Sequence, residues 1–394
     1  MRVLLGAFGD PGHAFPMLAL GEALVARGHA VALQTWRRWE DAAVAAGMEF
    51  SPAPEYHVFP TLDAPLTPYA AAVRAARETV PLVRSFAPDV AVSDILTVAP
   101  ALAAELEGVP VATLVPHLFP HLPPGFAPYS IGARLPRTAA GRALWRATDP
   151  LVARGLERGR REYNDCRARL GLGPLPYVHT GISRSLALVA TLPQLEYPRD
   201  WPAWARVIGP LLWEPASAAV APPTGGGPVV LVAPSTAQDP GHVLLRAALD
   251  GLADEPVRVI ATWNGREPSE PLRVPANAVA VDWLSYSKTM PACDVVVTHG
   301  GHGTLMRALA SGCRVVVSPA GGDMGENAAR VDWAGLGVRL PRRLCTPRGV
   351  RLAVRRALAR PREPVDAVAR WIATHDSRER ACEEIERWAS RGTP

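Results

Sequence analysis

The stretch Val295-Val296-Val297-Thr298-His299-Gly300-Gly301-His302-Gly303-Thr304-Leu305-Met306-Arg307-Ala308-Leu309-Ala310 decides how this chain folds. It opens on a β-branched apolar run, the signature of a strand buried on both faces. It closes on residues with helical spacing of apolar side chains. Between them Gly300, Gly301 and Gly303 let the backbone turn sharply from strand to helix. A strand that runs through glycines into a helix leaves free N–H groups at the positive end of the helix dipole, a cradle for a phosphate or diphosphate. A bare turn does not require three glycines beside two histidines and a threonine, so the anion-binding reading is preferred to a purely structural one.

The same alternation extends outward. In the second half, strands are expected at Val229 to Val232, Val257 to Ala261, Val279 to Val281, Val295 to Thr298 and Val315 to Ser318, with helices between them. In the first half, Arg2 to Phe8, Ala30 to Thr35, Pro88 to Val92, Val109 to Val115 and Ala187 to Ala190 read as strands. Helices are expected at Met17 to Arg27 and Ala99 to Glu107, and a long Pro-rich loop over 116–136. Alternating strands and helices imply parallel sheets covered on both faces. The fold class is therefore α/β, as two Rossmann-like domains facing each other across a cleft. The expected division is a first domain over 1–214, a Pro/Gly linker over 215–227, a second domain over 228–375 and a C-terminal amphipathic helix within 376–394 that can pack back on the first domain.

Composition narrows the function. The net charge of +5 and pI near 9.2 raise the question of nucleic acid. The cations, however, are nearly all arginine, with Lys288 the only lysine, and the basic stretches 154–169 and 339–362 have the spacing of solvated helix faces. No basic motif interleaved with aromatics is present, so a nucleic-acid partner is not expected. No apolar run is long enough to span a bilayer. Cys166, Cys293, Cys313, Cys345 and Cys382 are scattered without metal-ligand spacing, which, with no signal-peptide pattern, leads us to expect a cytoplasmic protein.

Taken together, Asp282-Trp283-Leu284, His299-Gly300-Gly301-His302-Gly303-Thr304, Ser318-Pro319, Asp323 and Asn327-Ala328 resemble the donor region of family 1 glycosyltransferases of the GT-B fold. More narrowly, the chain resembles the bacterial enzymes that glycosylate antibiotics and other natural products of the macrolide, anthracycline and enediyne types. Gly12-His13-Ala14-Phe15-Pro16 resembles their acceptor-side loop, and Ile208-Gly209-Pro210 the end of their first domain. The resemblance implies His13 as general base, with Asp94 orienting it. It implies Trp283 packing on the nucleoside base, and His299, Gly300, Gly301, Gly303 and Thr304 holding the diphosphate with help from Ser235 and Thr236. Asp323 would meet sugar hydroxyls, with Met324 and Asn327 beside it. His302, at the variable position of the motif, is read as solvent-facing. Two departures stand out: Ser285-Tyr286 replaces the usual Pro-Gln, and Met324 replaces a glutamine. A thioether cannot replace an amide on a sugar hydroxyl, which favours a deoxysugar.

An imidazole suits the base because its pKa lies near neutrality. A buried carboxylate on its second nitrogen would fix the tautomer and favour the imidazolium. The expected reaction is inverting transfer from a TDP or UDP donor to a hydroxyl of a small lipophilic acceptor, with Phe15, His57, Phe59, His117, Phe119 and Phe126 lining the acceptor side. Without an Asp-X-Asp motif, neither a metal nor any other cofactor is expected. A homodimer remains open. The alternatives are a non-catalytic glycosyltransferase-like partner protein and a sugar-nucleotide epimerase. A nicotinamide oxidoreductase fits less well, because the glycines after the first strand are not spaced for a dinucleotide.

Overall fold

The computed structural model describes residues 1–53, 70–235, 239 and 241–391. Two separate parallel sheets organise it. The first contains β1 (Arg2–Gly6), β2 (Ala30–Thr35), β3 (Glu49–Pro52), β4 (Val90–Asp94), β5 (Val111–Val115), β6 (Ala187–Val189) and β7 (Ala205–Val207), in the order β3-β2-β1-β4-β5-β6-β7. The second contains β8 (Val229–Ala233), β9 (Arg258–Thr262), β10 (Ala278–Val281), β11 (Val295–Thr298), β12 (Arg314–Val317) and β13 (Gly337–Arg339), in the order β10-β9-β8-β11-β12-β13. Every pairing within both sheets is parallel. Central strands covered by helices on both faces must be apolar throughout, and β8 and β11 are buried along their whole length.

Strand order reverses between β1 and β4 in the first sheet and between β8 and β11 in the second. Helices leave the sheet in opposite directions at such a point, opening a crevice at the carboxyl ends of the strands where ligands bind. His13 and Asp94 follow β1 and end β4, while Ser235 and the glycine turn follow β8 and β11. Both candidate half-sites thus lie at switch points.

The first helix runs from Pro11 to Ala26, earlier than the start expected at Met17. Pro11 sits in its first turn, where a missing N–H costs nothing, so His13 is carried on the helix rather than on a loop before it. Short strands β3, β7 and β13 also escape the apolar pattern, being only three or four residues long. The C-terminal helix Ser377–Ser390 buries Ala381, Cys382 and Ile385 in the core of the first sheet. Its Glu386 receives Arg27 at 2.6 Å and His29 at 2.8 Å, and Arg378 reaches Glu22 at 2.8 Å. The chain therefore crosses to the second sheet and returns to close on its own first helix. Among the described residues, no helix is long and apolar enough to cross a membrane, and the cysteines are unpaired.

Candidate active site

At the first switch point the His13 Nδ1 lies 2.8 Å from Asp94 Oδ1. A carboxylate only accepts, so Nδ1 carries the proton and Nε2 is left with its lone pair. Asp94 is fully buried, and its second oxygen accepts from the backbone N–H of Phe8 at 3.3 Å. Burial of His13 opposes charging, but the charge of Asp94 and its hydrogen bond outweigh it, and the imidazole pKa rises above its ordinary value of 6.5. Asp323, from the other half, adds to that rise.

His117 joins this group from the end of β5, its ring centroid 6.4 Å from that of His13 and edge-on to it. Its Nδ1–H donates to the Leu118 carbonyl at 2.8 Å, and Tyr129 Oη lies 3.2 Å from the same nitrogen. Burial lowers its pKa, so the ring is neutral at pH 7.

The second switch point is built from backbone. Gly300 has φ +91°, a conformation that favours glycine, and a Cβ there would press on Val317 and on the Met324 carbonyl. A Cβ on Gly301 would collide with the His299 ring, which lies against it. Gly301 then opens helix His302–Ala310 with no side chain capping it, so the first-turn N–H groups at His302, Gly303 and Thr304 have no partner within the helix and form an arrangement able to take an anion. His299 Nδ1 is 3.3 Å from the Ala233 carbonyl at the end of β8, and burial lowers its pKa. Ser235 is buried two residues past the end of β8.

Asp323 precedes helix Met324–Trp333 and caps nothing with its side chain. Its charge acts on His13, His117, His299 and His302 at once, so it stands where both halves meet. Trp283 is 39 % exposed just past β10, not in the core, and so free to stack on a planar ring.

Several expected positions fall elsewhere. Asn327 is buried and donates through Nδ2 to the Gly300 carbonyl at 2.8 Å, with Oδ1 3.4 Å from His302 Nδ1. Its Nδ2 is committed to that carbonyl, so the side chain braces the glycine turn. His302 is not solvent-facing. Its Nε2 crosses to the Ala190 carbonyl of the first sheet at 3.2 Å, and burial pushes its pKa down to about 4. A neutral ring has one N–H, so it serves Asn327 or Ala190 but not both. Phe119 is fully buried against Trp201 and Trp204, away from the cleft, because an apolar side chain in a polar loop is worth more as an anchor. Phe15 packs between Trp39 and Trp213 on the side of its helix away from His13. Phe126 lies against Tyr197. Thr236, His57 and Phe59 lie outside the described residues.

Other residues were not legible in the sequence. Tyr286, flagged only as a departure from Pro-Gln, is half-buried and donates to Asn264 Oδ1 at 2.9 Å, while Thr304 bonds to its hydroxyl. It thereby ties the base-side wall to the phosphate-side helix. Glu214, just before the connector, accepts from Ser285 Oγ at 2.6 Å and from the Tyr286 and Ser287 N–H groups at 3.2 Å. Among the described residues there is no group of three ligating side chains able to hold a metal ion.

Comparison with known proteins bears on the fold and the family. Residues 246–385 match the family model of the erythromycin biosynthesis protein CIII-like C-terminal domain. The chain is 31 % identical over 403 residues to 4'-demethylrebeccamycin synthase of Lentzea aerocolonigenes, covering 93 % of this chain and 94 % of that one. Among solved structures, the glycotransferase of kitacinnamycin superposes with a TM-score of 0.78 at 23 % identity, covering 98 % of this chain and 99 % of that one. Glycosyltransferase VinC in complex with dTDP does so at 0.71 and 22 %, over 100 % of both chains. A whole-length relative, a matching family model and two parallel-sheet domains of this topology lead to one conclusion: the chain belongs to the GT-B glycosyltransferases that tailor natural products, enzymes that move a sugar from a nucleotide donor.

Proposed function

We propose that this enzyme carries out an inverting transfer of a deoxysugar from a thymidine or uridine diphosphate donor to a hydroxyl of a small lipophilic acceptor. The observation that carries the reading is the His13–Asp94 pair, 2.8 Å long, buried at one switch point and set across a cleft from an uncapped helix N-terminus at the other. His13 Nε2 accepts the acceptor's hydroxyl proton as the oxygen forms its bond to the anomeric carbon. The bond from that carbon to the diphosphate breaks on the opposite face, which inverts the configuration. Asp94 stabilises the imidazolium that forms.

The electron pair departs with the diphosphate. Its charge is met by the N–H groups of His302, Gly303 and Thr304 and by the dipole of their helix, a preorganised anion site that calls for no divalent ion. Trp283 stacks on the base and Asp323 accepts from sugar hydroxyls. Met324, which offers no amide, leaves one hydroxyl position unread and suits a sugar lacking it. The dTDP bound to VinC supports thymidine as the nucleoside.

The test pairs donor binding with turnover. Titration calorimetry with dTDP and UDP, followed by turnover of their sugars by the parent and His13→Ala, should give intact nucleotide binding and a loss of transfer in the variant. Undiminished turnover without His13 would reject the base. Activity abolished by a chelator and restored by a divalent cation would reject the metal-free account.

A further inference from the structure

Away from the reacting groups, a buried ionic joint fastens the two halves together. Arg330 lies on helix Met324–Trp333, two turns beyond Asp323, and its side chain is fully buried. Its Nε donates to Glu326 Oε1 at 2.8 Å on the same helix. Its Nη1 crosses to the first half, donating to the Leu195 carbonyl at 2.9 Å and to Glu196 Oε2 at 3.3 Å. The guanidinium carbon rests 3.5 Å above the centre of the Tyr197 ring. Glu196 is buried as deeply, and its Oε1 accepts from the backbone N–H of Phe119 at 2.8 Å while Arg199 donates to Oε2 at 2.7 Å.

One carboxylate thus holds both the loop that begins at His117 and the helix that begins at Asp323. Buried ion pairs add little net stability over well-packed apolar groups, but a forked guanidinium between fixed acceptors admits only one geometry. A rigid helix transmits that geometry along its length at about 1.5 Å per residue, so a shift of the second half at this joint carries Asp323 with it as one body, the Asn327 bond to the glycine turn included. The chain packs closely enough here to make this matter: a Cβ on Gly132, in the loop from the first half, would collide with the Gly325 carbonyl beside Asp323.

We propose that Glu196 and Arg330 are positioning residues for sugar transfer, holding the helix that carries Asp323 in register with the loop that carries His117, and so aligning the donor sugar with the base at His13. The inference rests on the transferase reading of the cleft. The residues assigned to the nucleotide all lie on the second half, so loss of register spares nucleotide affinity while it impairs the reaction.

The test uses the full chain with Glu196→Gln, Arg330→Met and the double variant, in which both members of the pair lose their charge. The expected result is dTDP affinity within about twofold of the parent and kcat lowered by about ten- to a hundredfold, as a misplacement near 1 Å would produce. Acceptor-free hydrolysis of the donor, which needs no alignment with a bound acceptor, should fall less than transfer. Small-angle scattering should report a wider separation of the halves in the double variant. Should Arg330→Met fail to fold, Arg330→Lys, which keeps the charge and loses the fork, carries the same expectations. A folded double variant with kcat within twofold of the parent and unchanged scattering overturns the proposal, as does a loss of dTDP affinity that parallels the loss of kcat. A parent that binds no nucleoside diphosphate would instead overturn the transferase reading, while scattering would still judge the joint.

Discussion

The two sheets reverse their strand order at equivalent points, between β1 and β4 and between β8 and β11, yet the two points are equipped with different chemistry. The first carries titratable side chains, His13 on Asp94 with His117 beside them. The second carries backbone, a glycine turn and an uncapped helix end. Moving a proton requires a group whose pKa can be tuned, and only side chains supply one. Holding a diphosphate requires several donors fixed in space, which backbone N–H groups supply without titrating. On the proposed reading, one fold used twice yields a reacting half and a holding half, and substitutions at the two points should fail in different ways.

The largest effect is expected at the reacting point. His13→Ala should lower kcat by roughly a hundred- to ten-thousandfold while dTDP affinity stays unchanged by calorimetry. Loss of nucleotide binding in that variant would erase the distinction between the halves. Asp94→Asn should follow closely, with a pH signature. The base works only when neutral, so the acid limb of the kcat/KM profile should lie above pH 6.5 in the parent, because Asp94 raises the pKa of His13. Removing that charge leaves burial as the main influence, and the limb should move to lower pH. The same raised pKa sets a stability term with the opposite preference: the paired imidazolium favours the folded chain below pH 6.5, and this contribution is lost as pH rises through the folded pKa.

At the holding point the failure should be in binding. Gly300→Ala forces a non-glycine residue to φ +91° against Val317, and should weaken dTDP by about tenfold, roughly 1.4 kcal/mol, with a smaller loss in kcat at saturating donor. Asn327→Ala frees the Gly300 carbonyl and should lower the melting free energy by about 1–3 kcal/mol, read by thermal unfolding, and loosen dTDP with it. The smallest effect concerns protons. His299 directs Nδ1–H to Ala233 and is held neutral by burial, so its Nε2 can donate to a phosphate only after gaining a proton. Binding of dTDP should take up a fraction of a proton above pH 6.5, and affinity should fall with rising pH, both measurable by calorimetry in buffers of different ionisation heat. Proton-neutral binding would mean that the second switch point holds its ligand by backbone alone.

Much of this was legible in the sequence because it is local. The run Val295 to Ala310 contains its own strand, turn and helix, and the glycines state their purpose within a few residues. Aromatic residues in the Pro-rich loop were less legible. Nothing in composition separates His117, which reaches the cleft, from Phe119, which is buried against Trp201 and Trp204 two residues later. Both are plausible in a lid, and only packing from distant segments chooses between them. Tyr286 shows the same limit: its departure from a familiar pattern was visible, but its partners Asn264 and Thr304 lie about twenty residues away on either side.

By itself the sequence determined the two α/β halves, and it singled out the glycine turn at the second switch point as a candidate anion cradle and His13 as the candidate base, because each rests on residues adjacent along the chain. Only the tertiary structure decided that Asp94 reaches His13 across 81 positions, that Asn327 braces the glycine turn through the Gly300 carbonyl, and that Glu196 meets Arg330 across 134. The reason is physical. Local conformation follows from sterics and capping within a turn or two, whereas a hydrogen bond between distant residues exists only once two independently specified sheets have packed, and its partners carry no sign of each other before that.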